Sequence, residues 1–160
     1  MTLREALALG KDLLKKSNIE EYETDAWLLL EDAANCTRND LFLRGNEELT
    51  KEQETLYKEY LEKRSRRIPV QHILGVQCFC GLDFIVTPDV LCPRLDTEVL
   101  IEEALKRIRP GSSILDMCTG SGCIILTLMH FVKDSQGTAA DLSEKALAVA
   151  KQNAKKLEKE

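Results

Sequence analysis

Ten residues, Ile114-Leu-Asp-Met-Cys-Thr-Gly-Ser-Gly-Cys123, constrain what this chain can fold into more than any other stretch. A short apolar run leads into an acidic residue, then a turn of small residues, then a strongly apolar segment of helix length. Where the backbone must pass close to a ligand, side chains obstruct it, so this layout points to a cofactor-binding strand–loop–helix. A second acidic residue, Asp141, follows after a helix-length and another short strand. That spacing suits a carboxylate accepting hydrogen bonds from the two hydroxyls of a ribose.

Loops rich in glycine serve different ligands, and the residues separate them. A P-loop requires a lysine and a Ser or Thr after its second glycine, and neither follows Gly122. A nicotinamide fingerprint requires a third glycine where this chain has Ile125, a bulky residue that would hold the helix off the sheet. What remains is acid-x-small-x-Gly-x-Gly, formed by Asp116, Cys118, Gly120 and Gly122 with Thr119 and Ser121 between. With no stack of phosphate-binding residues, the loop suits a nucleoside with an uncharged tail, such as S-adenosylmethionine. A plain strand–helix connection has the same composition, and the residues alone leave both readings open.

Around this loop the sequence divides. The first sixty-odd residues carry four Ser/Thr-x-x-acid or -Gln helix starts: Thr2 with Glu5, Ser17 with Glu20, Thr37 with Asp40, and Thr50 with Gln53. Apolar stripes follow them, including Leu3, Ala6, Leu7, Leu13 and Leu14 in the first helix and Trp27 among leucines in the second. The last of these helices ends in the basic run Lys63 to Arg67, read as compensation of the helix dipole on a solvated end rather than as a patch for RNA. Pro69 then stops it. Beyond it Val76, Cys78 and Cys80 alternate, as do Leu82, Phe84 and Val86, about Gly81, predicting a β-hairpin with Cys78 and Cys80 buried on one face. A helix over 97–107, strand 113–117, helix 122–131, strand 138–141 and helix 143–157 complete a βαβα pattern with parallel strands and a right-handed crossover. The expected boundaries are an all-α bundle over 1–67, a linker and hairpin over 68–90, and an α/β domain over 91–160.

Composition narrows the function classes. A net charge of −5 argues against a large nucleic-acid footprint, which shows as a basic domain. The longest apolar stretch, Cys123 to Val132, is too short to span a bilayer, and the N-terminus has no uninterrupted apolar run, so a cytoplasmic chain is expected. Six cysteines lack the paired spacing of a zinc site, so reduced structural thiols and no metal are expected.

Asp116-Met-Cys-Thr-Gly-Ser-Gly-Cys123, with Asp141-Leu-Ser143 and the run Ala146 to Ala154, resembles motif I and its neighbour in class I methyltransferases. Upstream, Arg67-Ile-Pro-Val-Gln-His-Ile-Leu-Gly75, Phe79-Cys-Gly-Leu-Asp-Phe84, Val86-Thr-Pro-Asp-Val-Leu91 and Pro93-Arg-Leu-Asp-Thr-Glu98 resemble the HemK/PrmC family of release factor glutamine N5-methyltransferases. Asp25-Ala-Trp-Leu-Leu-Leu30 is similar to that family's helical substrate-binding bundle, so the resemblance covers the whole chain. It implies a Rossmann-like domain that binds S-adenosylmethionine, and release factors as partners, without membrane or direct nucleic-acid binding. The implied reaction is methylation of the amide nitrogen of the glutamine in a Gly-Gly-Gln loop. By position, Cys118 to Gly122 would line the methionine end of the cofactor, Asp141 would hold the ribose, and Asp116 would order the loop. The Pro93–Glu98 segment would lie beside the pocket.

Three departures from the family pattern stand out. Cys118 occupies a position usually held by glycine, which is compatible if its φ is negative. Leu95 and Asp96 replace the usual Pro-Glu. No Asn-Pro-Pro occurs anywhere, although the family grips the substrate amide with Asn-Pro-Pro-Tyr. The expectation is an N-terminal fragment, inactive alone, with the strand 113–117 left as an open sheet edge. An adenine-amino methyltransferase and a non-enzymatic protein-binding adaptor are the competing readings.

Overall fold

The structure, a computed structural model that describes residues 1–158, falls into two units, Met1–Leu74 and the residues from Gly75 onward. The first unit contains α1 (Leu3–Lys16), α2 (Tyr22–Ala34), α3 (Arg38–Arg44), α4 (Lys51–Ser65) and α5 (Val70–Leu74). Three of the predicted starts are built as capping boxes: Thr2, Thr37 and Thr50 each accept the N–H three residues on and receive a bond in return. These pairs satisfy donors that a helix start otherwise leaves open. The fourth is not built. Ser17 instead closes α1, its hydroxyl donating back to the Leu13 carbonyl at 2.9 Å, and α2 begins without a side-chain cap.

Leu14, Leu29, Leu30, Tyr57 and Leu61 form the centre of this unit's core, with Trp27 buried beside them as the helical spacing predicts. Gly10 makes room for Tyr57: a Cβ there would lie 1.9 Å from the phenol oxygen. That hydroxyl donates to the Ala26 carbonyl at 3.1 Å, and burial pushes the phenol's pKa well above its ordinary value. The basic run is not simply a solvated helix end. Arg64 turns inward to the buried Asp25 carboxylate at 2.7 Å, while Arg66 pairs with Glu62 on the surface. The short α5, absent from the sequence reading, is nucleated by Pro69, whose carbonyl accepts from His72 and Ile73.

The second unit begins with an antiparallel hairpin, β1 (Val76–Phe79) and β2 (Leu82–Ile85). It continues through α6 (Leu95–Leu105), β3 (Ser113–Met117), α7 (Cys123–Phe131), β4 (Gln136–Ala140) and α8 (Glu144–Lys156). β3 and β4 pair in parallel, Ser113 opposite Gln136 and Met117 opposite Ala140, with α7 as the crossover. The result is an all-α unit followed by a small α/β unit.

The hairpin is formed as predicted, but its faces differ. Phe84 pairs with Gln77 and Leu82 with Phe79, so Phe79, Leu82 and Phe84 share one side, while Val76 and Cys78 share the other with Asp83. The two apolar alternations are out of phase, so only one can face the core. The phenylalanines win, meeting edge to face at 6.2 Å, because they bury far more area than a valine and a thiol. Cys78 is therefore exposed, and Cys80 lies in the two-residue turn with Gly81, both at positive φ. On the α/β sheet, Ile114 packs inward, whereas Leu115 and Met117 are about two-thirds exposed at 64% and 66%. Among the described residues no helix is long and apolar enough to cross a membrane.

Candidate functional site

Parallel pairing places the C-terminal ends of β3 and β4 side by side, and the chain leaves both in the same direction. Ligands of open α/β sheets bind at this end of the strands. Of the residues singled out from the sequence, Asp116 sits near the end of β3, and Cys118, Thr119, Gly120, Ser121, Gly122 and Asp141 fall in the two loops that emerge there.

The first loop is tied to the second through its backbone. The Thr119 N–H donates to the Ala140 carbonyl at 3.0 Å, extending the ladder past the strand. The Thr119 hydroxyl donates to Asp116 Oδ2 at 2.7 Å, so the acidic residue at the strand end holds the turn. The Gly120 N–H donates to Asp141 Oδ2 at 2.9 Å, and the Ser143 N–H to Asp141 Oδ1 at the same distance. The Asp141 carboxyl is held below the usual carboxylate range, first by the Ser143 N–H and then by that of Gly120. A carboxylate has about four acceptor positions, so Asp141 keeps capacity for two further donors. Ser143 in turn caps α8, its hydroxyl accepting from the Ala146 N–H at 3.2 Å.

Backbone conformation sorts the loop residues. Cys118, Gly120 and Gly122 adopt positive φ, at 65°, 58° and 81°. The intervening Thr119 and Ser121 are buried, whereas Cys118 is exposed. The expectation of negative φ at Cys118 is therefore corrected: the cysteine takes the left-handed backbone that glycine would take, where its Cβ crowds the following carbonyl. The two glycines also have different work. A Cβ on Gly120 would meet nothing within 4 Å, which leaves open space beside a backbone already turned outward. A Cβ on Gly122 would lie 3.0 Å from Leu126 and 3.3 Å from Ala150, so that glycine lets α7 and α8 approach. Ser121 likewise faces the interior.

One residue that positions this loop does not stand out in the sequence as a site residue. Asn153 of α8 is fully buried and donates from Nδ2 to the Ser121 carbonyl at 2.9 Å. The same side-chain amide binds Ile85 twice, accepting from its N–H at 2.6 Å and donating to its carbonyl at 3.0 Å. The reason lies in the hairpin register. Val86 donates to the Gly75 carbonyl, which makes the neighbouring position, Ile85 opposite Val76, a non-hydrogen-bonded pair. The peptide groups of Ile85 thus point away from β1, and Asn153 completes them as a third strand would. An Asn near the end of a lysine-rich helix gives no local hint of a partner 68 residues away.

The Pro93–Glu98 segment forms the start of α6. Glu98 accepts from the Cys80 N–H at 2.7 Å, tying the helix to the hairpin turn, and Arg94 and Leu95 are exposed. An apolar cleft between α7, β4 and α8, lined by Gly122, Ile125, Met129 and Leu147, includes neither Asp116 nor Asp141.

Residues 5–75 match the family model described as PrmC N-terminal domain. The whole chain is similar to proteins named release factor glutamine methyltransferase. It is 37% identical over 155 residues to that of Geobacter sulfurreducens, 41% over 159 to that of Moorella thermoacetica, and 39% over 160 to that of Caulobacter vibrioides. These alignments take in 97%, 98% and 99% of this chain but 55%, 56% and 55% of the relatives. The chain therefore spans about half the length of the curated relatives it matches. By its sequence along nearly all of its length, this chain belongs to the family of the release factor glutamine methyltransferases.

Proposed function

We propose that this chain carries the substrate-docking bundle and the first half of the cofactor domain, Rossmann-like in design, of a release factor glutamine N5-methyltransferase that uses S-adenosylmethionine. The observation that carries the reading is the pair of loops at the strand ends, where Asp141 fastens the backbone of Gly120 and retains acceptors for a diol. The residues fit the group: open space at Gly120 admits close approach of a ligand, and nothing in the loop supplies the cationic clamp a phosphate tail would need.

In this reading Asp141 accepts from the ribose hydroxyls, and the backbone from Cys118 to Gly122 borders the methionine end. Asp116 acts through Thr119, fixing the turn rather than touching the ligand. The bound cofactor supplies an electrophilic methyl group on a sulfonium centre. The protein's share is positioning and exclusion of water, because an amide nitrogen attacking such a carbon needs alignment more than a strong base. The Asn-Pro-Pro-Tyr that grips the glutamine amide in this family does not occur in these 160 residues. The 160-residue chain is accordingly expected to bind cofactor without turning over.

Titration calorimetry with S-adenosylmethionine tests the pocket. Saturable binding is expected, with a 2′-deoxyribose analogue weaker on the wild type and indistinguishable from the parent compound on Asp141→Asn. No binding, or an unchanged preference in the variant, would remove Asp141 from the cofactor reading. Methyl transfer to a release factor by the 160 residues alone would refute the inactivity.

A further inference from the structure

A groove of the first unit lies against α1, α2 and α3 and has a volume of about 690 Å³. Part of its wall is apolar: Leu7, Trp27 and Leu41 line it, and Phe42 stands on it 80% exposed. α3 buries none of its residues: Leu41 packs partly against the core, while Phe42 and Leu43 stand largely uncovered. Large exposed apolar side chains clustered beside a concavity mark a recognition surface.

The charge of this groove runs against that of the chain. Arg4, Lys11 and Arg38 line it with a single acid, Glu23, in a protein whose net charge is −5. Lys11 is paired with Glu23 at 3.3 Å. Arg4 donates to the Asn46 side chain and the Phe42 carbonyl, neither of them a carboxylate. Arg38 lies 5.3 Å over the Trp27 ring and has no ion pair among the described residues. It also occupies the first position of α3, where a positive charge opposes the helix dipole. Two guanidinium groups thus stay uncompensated by acid around an aromatic floor.

We propose that this groove docks a segment of another protein in which an apolar side chain is flanked by carboxylates. The apolar residue would fill the space beside Trp27 and Phe42, and the carboxylates would pair with Arg38, where a bidentate contact is available, and with the remaining donors of Arg4. A segment of that charge is disfavoured by the net charge of the chain as a whole, whereas this groove offers it an apolar floor and guanidinium groups that no acid compensates. Self-association is disfavoured by the like net charge of two copies, and a nucleic acid by the shortage of cations along any extended track. The proposal deepens the docking role proposed above for the first unit and rests on it, but it does not depend on the cofactor reading.

Trp27 is the only tryptophan in the chain, so its emission reports the groove directly. Two twelve-residue peptides with the same Leu and Phe positions, one carrying Glu at the flanks and the other Lys, would be titrated into the whole chain. The Glu peptide is expected to change Trp27 emission saturably, at least tenfold more tightly than the Lys peptide, with an affinity that falls as salt rises. Arg38→Glu should reverse the preference, and Phe42→Ser should weaken the Glu peptide at least tenfold. Reversal also shows that Arg38→Glu is folded. Equal responses to both peptides, no response, or no reversal would overturn the proposal. So would tighter binding of a twelve-nucleotide oligouridine, or doubling of the mass in sedimentation with a matching change in emission.

Discussion

Replacing Asn153 by leucine tests how far the loop at the strand ends depends on one side chain. The two residues are close in size, so the change removes three hydrogen bonds while leaving the space filled. The Ile85 N–H and carbonyl are half-buried and can recover some solvation, which sets each loss at about 1 kcal/mol. The bond to the Ser121 carbonyl is fully buried, and leaving that acceptor empty costs about 1–2 kcal/mol. Together the second unit should lose about 3–4 kcal/mol, with little change in the first. Fluorescence cannot see this: Trp27 and all three tyrosines, Tyr22, Tyr57 and Tyr60, lie before Gly75. Hydrogen exchange read by mass spectrometry can, with the Trp27 unfolding transition as an internal control. Peptides covering residues 82–86 and 119–131 should exchange about 100- to 1000-fold faster, since each 1.4 kcal/mol is a factor of ten. Asn153→Asp keeps the acceptor for the Ile85 N–H but turns an oxygen toward two carbonyls, so it should be at least as damaging at neutral pH. An acceleration below tenfold for Asn153→Leu, or an equal shift of the Trp27 transition, would refute the role assigned to this amide.

Other substitutions probe single features. Cys118→Gly should stabilise the second unit by about 0.5–1 kcal/mol, because relief of about 1–2 kcal/mol of left-handed strain exceeds the added freedom of an unfolded glycine; slower exchange in residues 113–123 would show it. Gly10→Ala, which would favour an isolated helix, should instead destabilise the first unit by about 1–3 kcal/mol, through a Cβ forced against the Tyr57 hydroxyl. A Trp27 transition unchanged or raised in temperature would contradict that packing. Asp141 has a folded pKa below its unfolded value, so its contribution is complete above the ordinary aspartate range and fades as pH falls through the lowered value. The Gly120 amide should lose exchange protection along that acid limb in the wild type, and Asp141→Asn should flatten the limb; a dependence identical in both would exclude Asp141 as its origin.

What was legible in the sequence was written in neighbouring residues. Three capping boxes, the two parallel strands and the crossover helix all rest on signals within a few positions of one another. The failures share a different cause. Ser17 and Glu20 have the spacing of a start, yet the Leu13 carbonyl at the end of the preceding helix claims the hydroxyl first. The hairpin offered two apolar alternations, and only the pairing register shows that they compete for one face. Asn153 is meaningful only once β2 is seen to need a partner on its open side. At Cys118 the local rule was sound but was applied to the wrong φ. The turn takes left-handed backbone at 118, 120 and 122, on either side of the buried Thr119 and Ser121, and the residue type yields to that demand. The loop's geometry is thus imposed by its anchors, Asp116 through Thr119, Asp141 through Gly120 and Asn153 through Ser121, more than by the glycines that announce it. A strained cysteine can persist there because three ties from three separate elements hold the residues on one side of it.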